Sequence, residues 1–163
     1  MATPTYTLLD STTLSSTAQT VTFTGISATG KGDLVLAAGF SHTGSTGEFV
    51  FLQFNGSSTN GTMVGMAGNG SSASSSTATK IHFSTGGTST TPGTALVQIQ
   101  DYSATDKHKT ALVRCNISDL KTEAMASRWA STAAITSVSV VGESAAALFA
   151  IGSTFHLYQL VSE

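Results

Sequence analysis

The sequence predicts an all-β protein, an antiparallel β-sandwich or barrel of about ten strands with little helix. Apolar and polar residues alternate with a period of two along most of the chain, which is the pattern of half-buried strands. Serine and threonine make up roughly 30% of the residues, and threonine is β-branched, which favours strands over helices. Sixteen glycines and two prolines supply many turn positions. No internal repeat or domain boundary is visible, so residues 1–163 are predicted to form one domain.

The first half of the chain contains five predicted strands. They cover residues 5–10 (continuing or kinking through 11–16), 19–24, 33–40, 48–54 and 62–68. In the second of these, Val21 and Phe23 share one face. Residues 33–40, DLVLAAGF, are apolar on both faces, as expected of a central strand covered on two sides. Asn55-Gly56 is a strong turn signal, and the polar stretch SSASSSTAT (71–79) is predicted to be an exposed loop.

The second half contains six predicted strands separated by polar or charged stretches. They cover residues 80–84, 95–103, 109–118, 120–131, 135–142 and 153–161, with a flexible stretch at 85–94 and a loop or short helical turn at 143–152. Residues 95–103 and 109–118 are predicted to pair as a hairpin, with Val97 and Ile99 facing inward. The composition of residues 120–131 suits a helix, but alternate residues from Glu123 to Trp129 also follow the strand period, which favours a strand.

Composition and charge exclude several classes of partner. Only 10% of the residues are charged, the net charge is −2 and the pI is near 6.0, so no basic face for nucleic acid and no membrane-binding segment is expected. Residues 1–10 lack the basic and apolar regions of a signal peptide. No apolar run approaches the roughly 20 residues that span a bilayer. The protein is therefore expected to be made in a cytoplasm without a visible export signal.

Residues 25–32, GISATGKG, come close to a phosphate-binding loop, which requires G-x-x-x-x-G-K-[ST]. The residue after Lys31 is Gly32, so the hydroxyl that would bind magnesium is missing. A strand follows instead of a helix, and Asp33 would repel phosphate. The sequence therefore predicts a glycine-rich connection between two antiparallel strands and leaves the role of Lys31 open.

The other reactive residue types form no recognisable site. Cys115 is the only cysteine, which excludes an internal disulfide, and its alternating surroundings favour a small core residue over a reactive thiol. The histidines lie far apart in sequence and show no metal-ligand spacing: they are His42, His82, His108 and His156.

The carboxylates and aromatic residues also lack a catalytic pattern. Asp101, Asp106, Glu123 and Glu143 could supply a glycosidase pair, but nine acidic residues always offer such pairs, and no G-x-S-x-G motif occurs. The sequons at Asn55, Asn60, Asn69 and Asn116 are interpreted mainly as Asn-Gly turns. The aromatic residues Tyr102, Trp129 and Tyr158 are interpreted as core or rim residues. We therefore predict no enzyme, and no catalytic, cofactor-binding or metal-binding residues.

Four stretches of the chain together resemble a group of bacteriophage virion proteins. They are TYTLLDSTTLSSTAQTVTFTGI (5–26), DLVLAAGF (33–40), FLQFNG (51–56) and AITSVSVVGESAAALFAIGSTFHLYQL (134–160). The resemblance covers nearly the full length, and its motifs are structural rather than catalytic. The sequence departs from the group at GKGD (30–33), where members often have an aromatic-bearing turn.

The resemblance implies a jelly-roll-like β-sandwich that serves as a building block of virus particles. A chain of this length without a shaft resembles a capsid decoration or cement protein that binds the major capsid protein, forms a homo-oligomer (a trimer would match the local symmetry of the shell) and is located in the virion. The alternative is a tail-fibre or appendage module that binds a host receptor or glycan through the stretches 71–79 and 85–94. A hydrolase on the same scaffold is a third possibility.

Overall fold

The computed structural model describes residues 5–44, 48–85, 89–118 and 120–160. These residues form twelve strands, and in most of them buried and exposed residues alternate. They are β1 (Tyr6–Thr13), β2 (Thr20–Phe23), β3 (Asp33–Phe40), β4 (Val50–Phe54), β5 (Gly61–Gly68), β6 (Ala73–Ala78), β7 (Ile81–Ser84), β8 (Gly93–Gln100), β9 (Lys109–Ile117), β10 (Lys121–Trp129), β11 (Val138–Gly142) and β12 (Thr154–Leu160). Residues 1–4, residues 86–88 of the loop predicted at 85–94 and Val161 of the last predicted strand lie outside the described residues.

The strands form two antiparallel sheets of unequal width. The larger sheet has eight strands in the order β1-β12-β3-β8-β9-β10-β5-β6, and the smaller has four in the order β2-β11-β4-β7. This arrangement confirms the predicted all-β antiparallel sandwich. The number of strands exceeds the predicted ten, in part because the stretch 71–79 contributes an additional one, β6.

The chain folds as one long hairpin whose early strands pair with late strands in reverse order. The pairs are β1 with β12, β2 with β11, β3 with β8, and β4 with β7. Two of these pairs lie in each sheet, which is the jelly-roll arrangement. The remaining strands, β5, β6, β9 and β10, are inserted between strands of this framework and all join the larger sheet.

The predicted loop at residues 71–79 is wrong, because most of it forms the edge strand β6. Residues 73–78 pair in continuous register with β5. The turn before them is held by Asn69, whose side-chain oxygen accepts hydrogen bonds from the backbone nitrogens of Ser71 at 3.0 Å and Ser72 at 2.8 Å. Short polar side chains suit an edge strand that is exposed on both faces, so low sequence complexity here does not indicate a loop.

The alternation predicted for the middle of the larger sheet is confirmed. Val97 and Ile99 of β8 are fully buried, and β8 pairs with β9 as the predicted hairpin. Residues 121–129 form a strand, and the alternate residues from Glu123 to Trp129 face inward. The prediction for β3 needs correction, because only one of its faces is buried. Its other face, which includes Val35 and Ala37, is half-exposed.

The core lies between the smaller sheet and the inner side of the larger one. Aromatic rings from both sheets and the β11–β12 connection meet there in edge-to-face or tilted pairs. The ring centroids of Phe40 and Phe83 lie 5.3 Å apart, and those of Phe149 and Phe155 lie 5.1 Å apart. All four side chains are buried. The rings join the two sheets into a single hydrophobic core.

The loop that resembles a phosphate-binding motif is a connection between the two sheets. It links β2 of the smaller sheet to β3 of the larger one, so it is a crossover and not a hairpin. Ile26 is buried, Ser103 donates its hydroxyl to the carbonyl of Gly30, and the side-chain nitrogen of Gln159 donates to the carbonyl of Lys31 at 2.8 Å. The backbone carbonyls of this loop are therefore used to hold it in place.

We expect Gly30→Ala to destabilise the fold by about 1–3 kcal/mol, because a Cβ at this position would lie 1.7 Å from the hydroxyl oxygen of Tyr102, which is itself buried. Urea denaturation of the two proteins measures the difference. Gly44→Ala is the matched control, since a Cβ there meets nothing within 4 Å. Adding Tyr102→Phe to Gly30→Ala should recover part of the loss, and equal losses at Gly30 and Gly44 would contradict the steric explanation.

Candidate assembly surface

The side of the larger sheet that faces away from the smaller sheet is largely apolar. We call this side the outer face. Strand register aligns its side chains in two central rows. One row contains Val64, Ala126, Leu112, Gln98, Val35, Tyr158 and Leu8, and the other contains Met66, Ala124, Arg114, Leu96, Ala37, His156 and Ser11. The outer face therefore consists of the residues that alternate with the core residues of the same strands.

The large apolar side chains of the outer face are open to solvent. The exposed fractions are 62% for Val64, 68% for Met66, 46% for Leu96 and 48% for Leu112. Single exposed apolar residues are common on proteins, but a contiguous set across several strands is typical of an interaction surface. These residues were not identified as a site from the sequence. The available signal was the presence of large apolar residues in the register opposite to the core.

On the outer face a central ridge separates two shallow depressions, and a further depression of about 460 Å³ lies towards the end of the sheet that contains Thr110 and Arg128. Leu96 of β8 and Leu112 of β9 form the ridge. One depression of about 420 Å³ lies over Val35 and Ala37 of β3. The other, also of about 420 Å³, lies over the alanines of β10 and is bordered by β5. The relief follows from the residue sizes, because small side chains project from β3 and β10 and larger ones from the strands beside them.

The margins of the outer face are mostly polar. The row at one end contains Thr62, Arg128, Thr110, Gln100 and Asp33 and ends in the apolar residues Leu160 and Tyr6, and the row at the other end contains Thr122, Asn116, Thr94 and Thr154. The carboxylate of Asp33 accepts hydrogen bonds from the side-chain nitrogen of Gln98 at 2.8 Å and from the backbone nitrogen of Asp101 at 3.0 Å. An apolar centre with a polar rim is the usual anatomy of a protein–protein interface.

A buried polar cluster centres on Glu123, one of the four carboxylates considered from the sequence. Its carboxylate lies 2.8 Å from the ammonium of Lys121 and accepts hydrogen bonds from the hydroxyls of Ser84 and Thr85 and from the Thr85 backbone nitrogen. Only 2% of the residue is exposed. These partners satisfy both oxygens, so the cluster joins β10 to the end of β7 as a structural connection.

The other three carboxylates lie at exposed positions away from this cluster. Asp101 and Asp106 belong to the β8–β9 turn, where Asp101 pairs with Lys107 at 3.2 Å. Glu143 accepts a hydrogen bond from the backbone nitrogen of Phe49 at 3.1 Å. The structure therefore does not combine the four carboxylates into one cleft.

The histidines and the cysteine are also dispersed. His42 and His82 are buried, His108 is exposed, and His156 lies half-buried on the outer face. Burial raises the pKa of the Cys115 thiol to about 12, which agrees with the predicted core role. In the described ranges, no group of three or more His, Cys, Asp or Glu side chains could bind a metal ion. No helix among the same residues is long and apolar enough to cross a membrane.

The remaining candidates from the sequence occupy structural positions. Tyr102 and Trp129 are buried, and Tyr158 is half-buried on the outer face. Asn55 and Asn60 have positive φ angles of 53° and 63°, as turn residues often do. Asn69 stabilises the β5–β6 turn, whereas Asn116 lies in β9 and accepts a hydrogen bond from Thr94. The interpretation as turns therefore holds for the three Asn-Gly sites.

His42 is a buried imidazole packed between phenyl rings. Its centroid lies 5.6 Å from that of Phe40 and 5.0 Å from that of Phe149. Neither ring nitrogen has a hydrogen-bond partner within the described residues. Burial lowers the pKa of His42 from 6.5 to about 4, because the charged imidazolium would lose its hydration there.

Comparisons of the sequence and structure with protein-family models, curated proteins and solved structures found no significant match.

We expect the stability of the protein to fall between pH 6.5 and pH 4 because of His42. In this range the unfolded chain binds a proton at residue 42 that the folded chain excludes, so the free energy of unfolding decreases by about 2 kcal/mol at pH 5 and by about 3 kcal/mol below pH 4. Urea denaturation of wild type and His42→Phe across this range measures the difference. The variant should lack this part of the acid loss, whereas His108→Gln, at an exposed position, should keep it.

Glu123→Ala should destabilise the protein by about 3–5 kcal/mol, since it leaves Lys121, Ser84 and Thr85 without their common partner. Glu143→Ala, which removes one exposed hydrogen bond, should cost less than about 1 kcal/mol. Thermal or chemical unfolding of both variants provides the comparison. A loss at Glu123 no larger than that at Glu143 would refute the structural role of the cluster.

Proposed function

We propose that this chain is a structural protein of a virus particle, a capsid decoration or cement protein that binds and stabilises the shell formed by the major capsid protein. The outer face is the observation that carries the proposal. A low-charge domain with a largely apolar face is suited to permanent packing in an assembly, either against another copy of the chain or against a shell subunit. The jelly-roll arrangement supports the proposal as a fold analogy, which does not by itself define a function.

The inserted strands support an assembly role because they enlarge the outer face. The framework strands alone would give the larger sheet four strands, β1, β12, β3 and β8. The insertions double this number and contribute three exposed large apolar residues, Val64, Met66 and Leu112. Insertions that only lengthened loops would not add these apolar side chains to the outer face.

The rigidity of the sheet also suits a structural protein. Each of the seven strand contacts across the larger sheet is a regular antiparallel ladder, with one bulge between Leu8 and Asp10 at the β1 edge. The Glu123 cluster joins the inserted half of this sheet to the smaller sheet. The outer face is thus held in shape before it meets a partner, which lowers the entropy cost of binding.

The receptor- or glycan-binding alternative depended on two exposed loops. Most of the first, residues 71–79, forms β6, whose side chains are spaced by strand pairing with β5. The second is described only at Thr85 and at residues 89–94, of which the last two belong to β8. This alternative is therefore an outcome of the test that follows.

Cryo-electron microscopy of virus particles that carry this gene product tests the proposal. We expect density for many copies on the capsid shell. Purified protein added to shells that lack it should co-sediment with them and raise the temperature at which they open, because the bound protein stabilises the assembled state. Shells mixed with an unrelated protein of similar size are the control. Density confined to the tail would refute the capsid role and favour the receptor-binding module.

A further inference from the structure

We infer that the outer face binds a second copy of this chain, packed face to face about a two-fold axis that runs along the strands. This inference rests on the proposed function, because it names the neighbour that covers the assembly surface. In a two-fold contact the same patch is used by both copies, so one face must complement itself in size, relief and charge.

The outer face has the size that a stable pair requires. Eight strands at about 4.8 Å spacing and four rows of side chains at about 6.8 Å spacing give about 34 Å by 20 Å, or about 700 Å² in projection. Stable protein interfaces bury about 800 Å² on each partner. Since the standard class spans about 600–1,000 Å² per partner, a pair that covered most of the outer face would fall at its lower end.

The relief of the outer face is complementary to itself. A copy turned over about an axis near β9 places its Leu96 in the depression over β10 and brings its Leu112 next to the Leu112 of the first copy. The same rotation places the side chains of β5 in the depression over Val35 and Ala37 of β3. Ridges then meet depressions on both sides of the axis, with the two sheets at the roughly 10 Å separation of packed sheets.

The charges are compatible with this orientation. Arg128 on β10 and Asp33 on β3 lie in the same row, on opposite sides of the axis. Turning one copy over leaves Arg128 offset along the sheet by about 1.5 strand spacings, or about 7 Å, from the Asp33 of the other copy, and its long side chain can extend across the gap between the sheets towards that carboxylate. Arg114 lies near the axis, so the two Arg114 side chains of a pair lie close together, and the polar row of Thr94 and Asn116 beside them lets both guanidinium groups extend to water.

A two-fold pair would also explain how a small protein stabilises a shell. Each pair presents two identical copies of every surface other than the outer face, so it can bind two shell subunits at once. Binding at the second site is then intramolecular, which strengthens attachment without new contacts. The trimer expected from shell symmetry would instead require two different complementary patches on each copy.

Sedimentation velocity of the purified full chain tests the pairing. Wild type should sediment at twice the 16.6 kDa mass of the chain. Leu112→Glu, at the centre of the outer face, should weaken association at least 100-fold and give the mass of one chain. Ile151→Glu is the matched control, because Ile151 is 65% exposed but lies in the turn before β12, away from the outer face. Circular dichroism verifies that both variants fold.

Cross-linking tests the position of the axis. Residues near a two-fold axis meet their own copies, so Leu112→Cys should cross-link to a dimer with a short bismaleimide. Ile151→Cys should not, and the native Cys115 gives little background because it is buried.

A wild type that is a monomer or a trimer, or a Leu112→Glu variant with unchanged mass, would overturn the pairing. If a monomeric wild type binds shells and Leu112→Glu does not, the face belongs to the shell protein, and the decoration role stands. If the chain pairs as expected but is absent from particles, the decoration role fails alone.

Discussion

The backbone pairing of early strands with late strands is the interaction on which the rest of the structure depends. Because β1 pairs with β12 and β3 with β8, while β2 pairs with β11 and β4 with β7, consecutive framework strands are divided between two sheets that must pack together. Residues far apart in sequence meet in the core only when these ladders are formed. Phe40 and Phe149 are an example, with ring centroids 6.1 Å apart. Such long-range pairing is costly to begin and cooperative once established.

The unequal width of the two sheets is the direct source of the candidate site. Four strands cover the inner side of a sheet that the insertions extend to eight. The inner residues of β5, β9 and β10 are nevertheless buried, as Met63, Val113 and Met125 show. The outer residues of the same strands have no covering layer within the described part of the chain. The insertions therefore enlarge the core and the outer face together.

Two buried polar side chains, Glu123 and His42, have different surroundings. Glu123 is neutralised by Lys121 and fully hydrogen-bonded, so its burial connects two elements. His42 is surrounded by rings and has no described hydrogen-bond partner, so its burial is tolerated only while it stays uncharged.

The sequence by itself determined the fold class and most strand positions, because the period of two and the Asn-Gly turns are local signals. Residues 33–40, for example, correspond to β3 at both ends. The sequence could not distinguish the edge strand β6 from a loop, since Ser and Thr side chains are common in both and only pairing with β5 decides between them. Tertiary structure also decided which face of β3 is covered and brought Leu96, Leu112 and Val64 onto one surface. That surface depends on strand order, and strand order is set by contacts between segments that the local pattern does not connect.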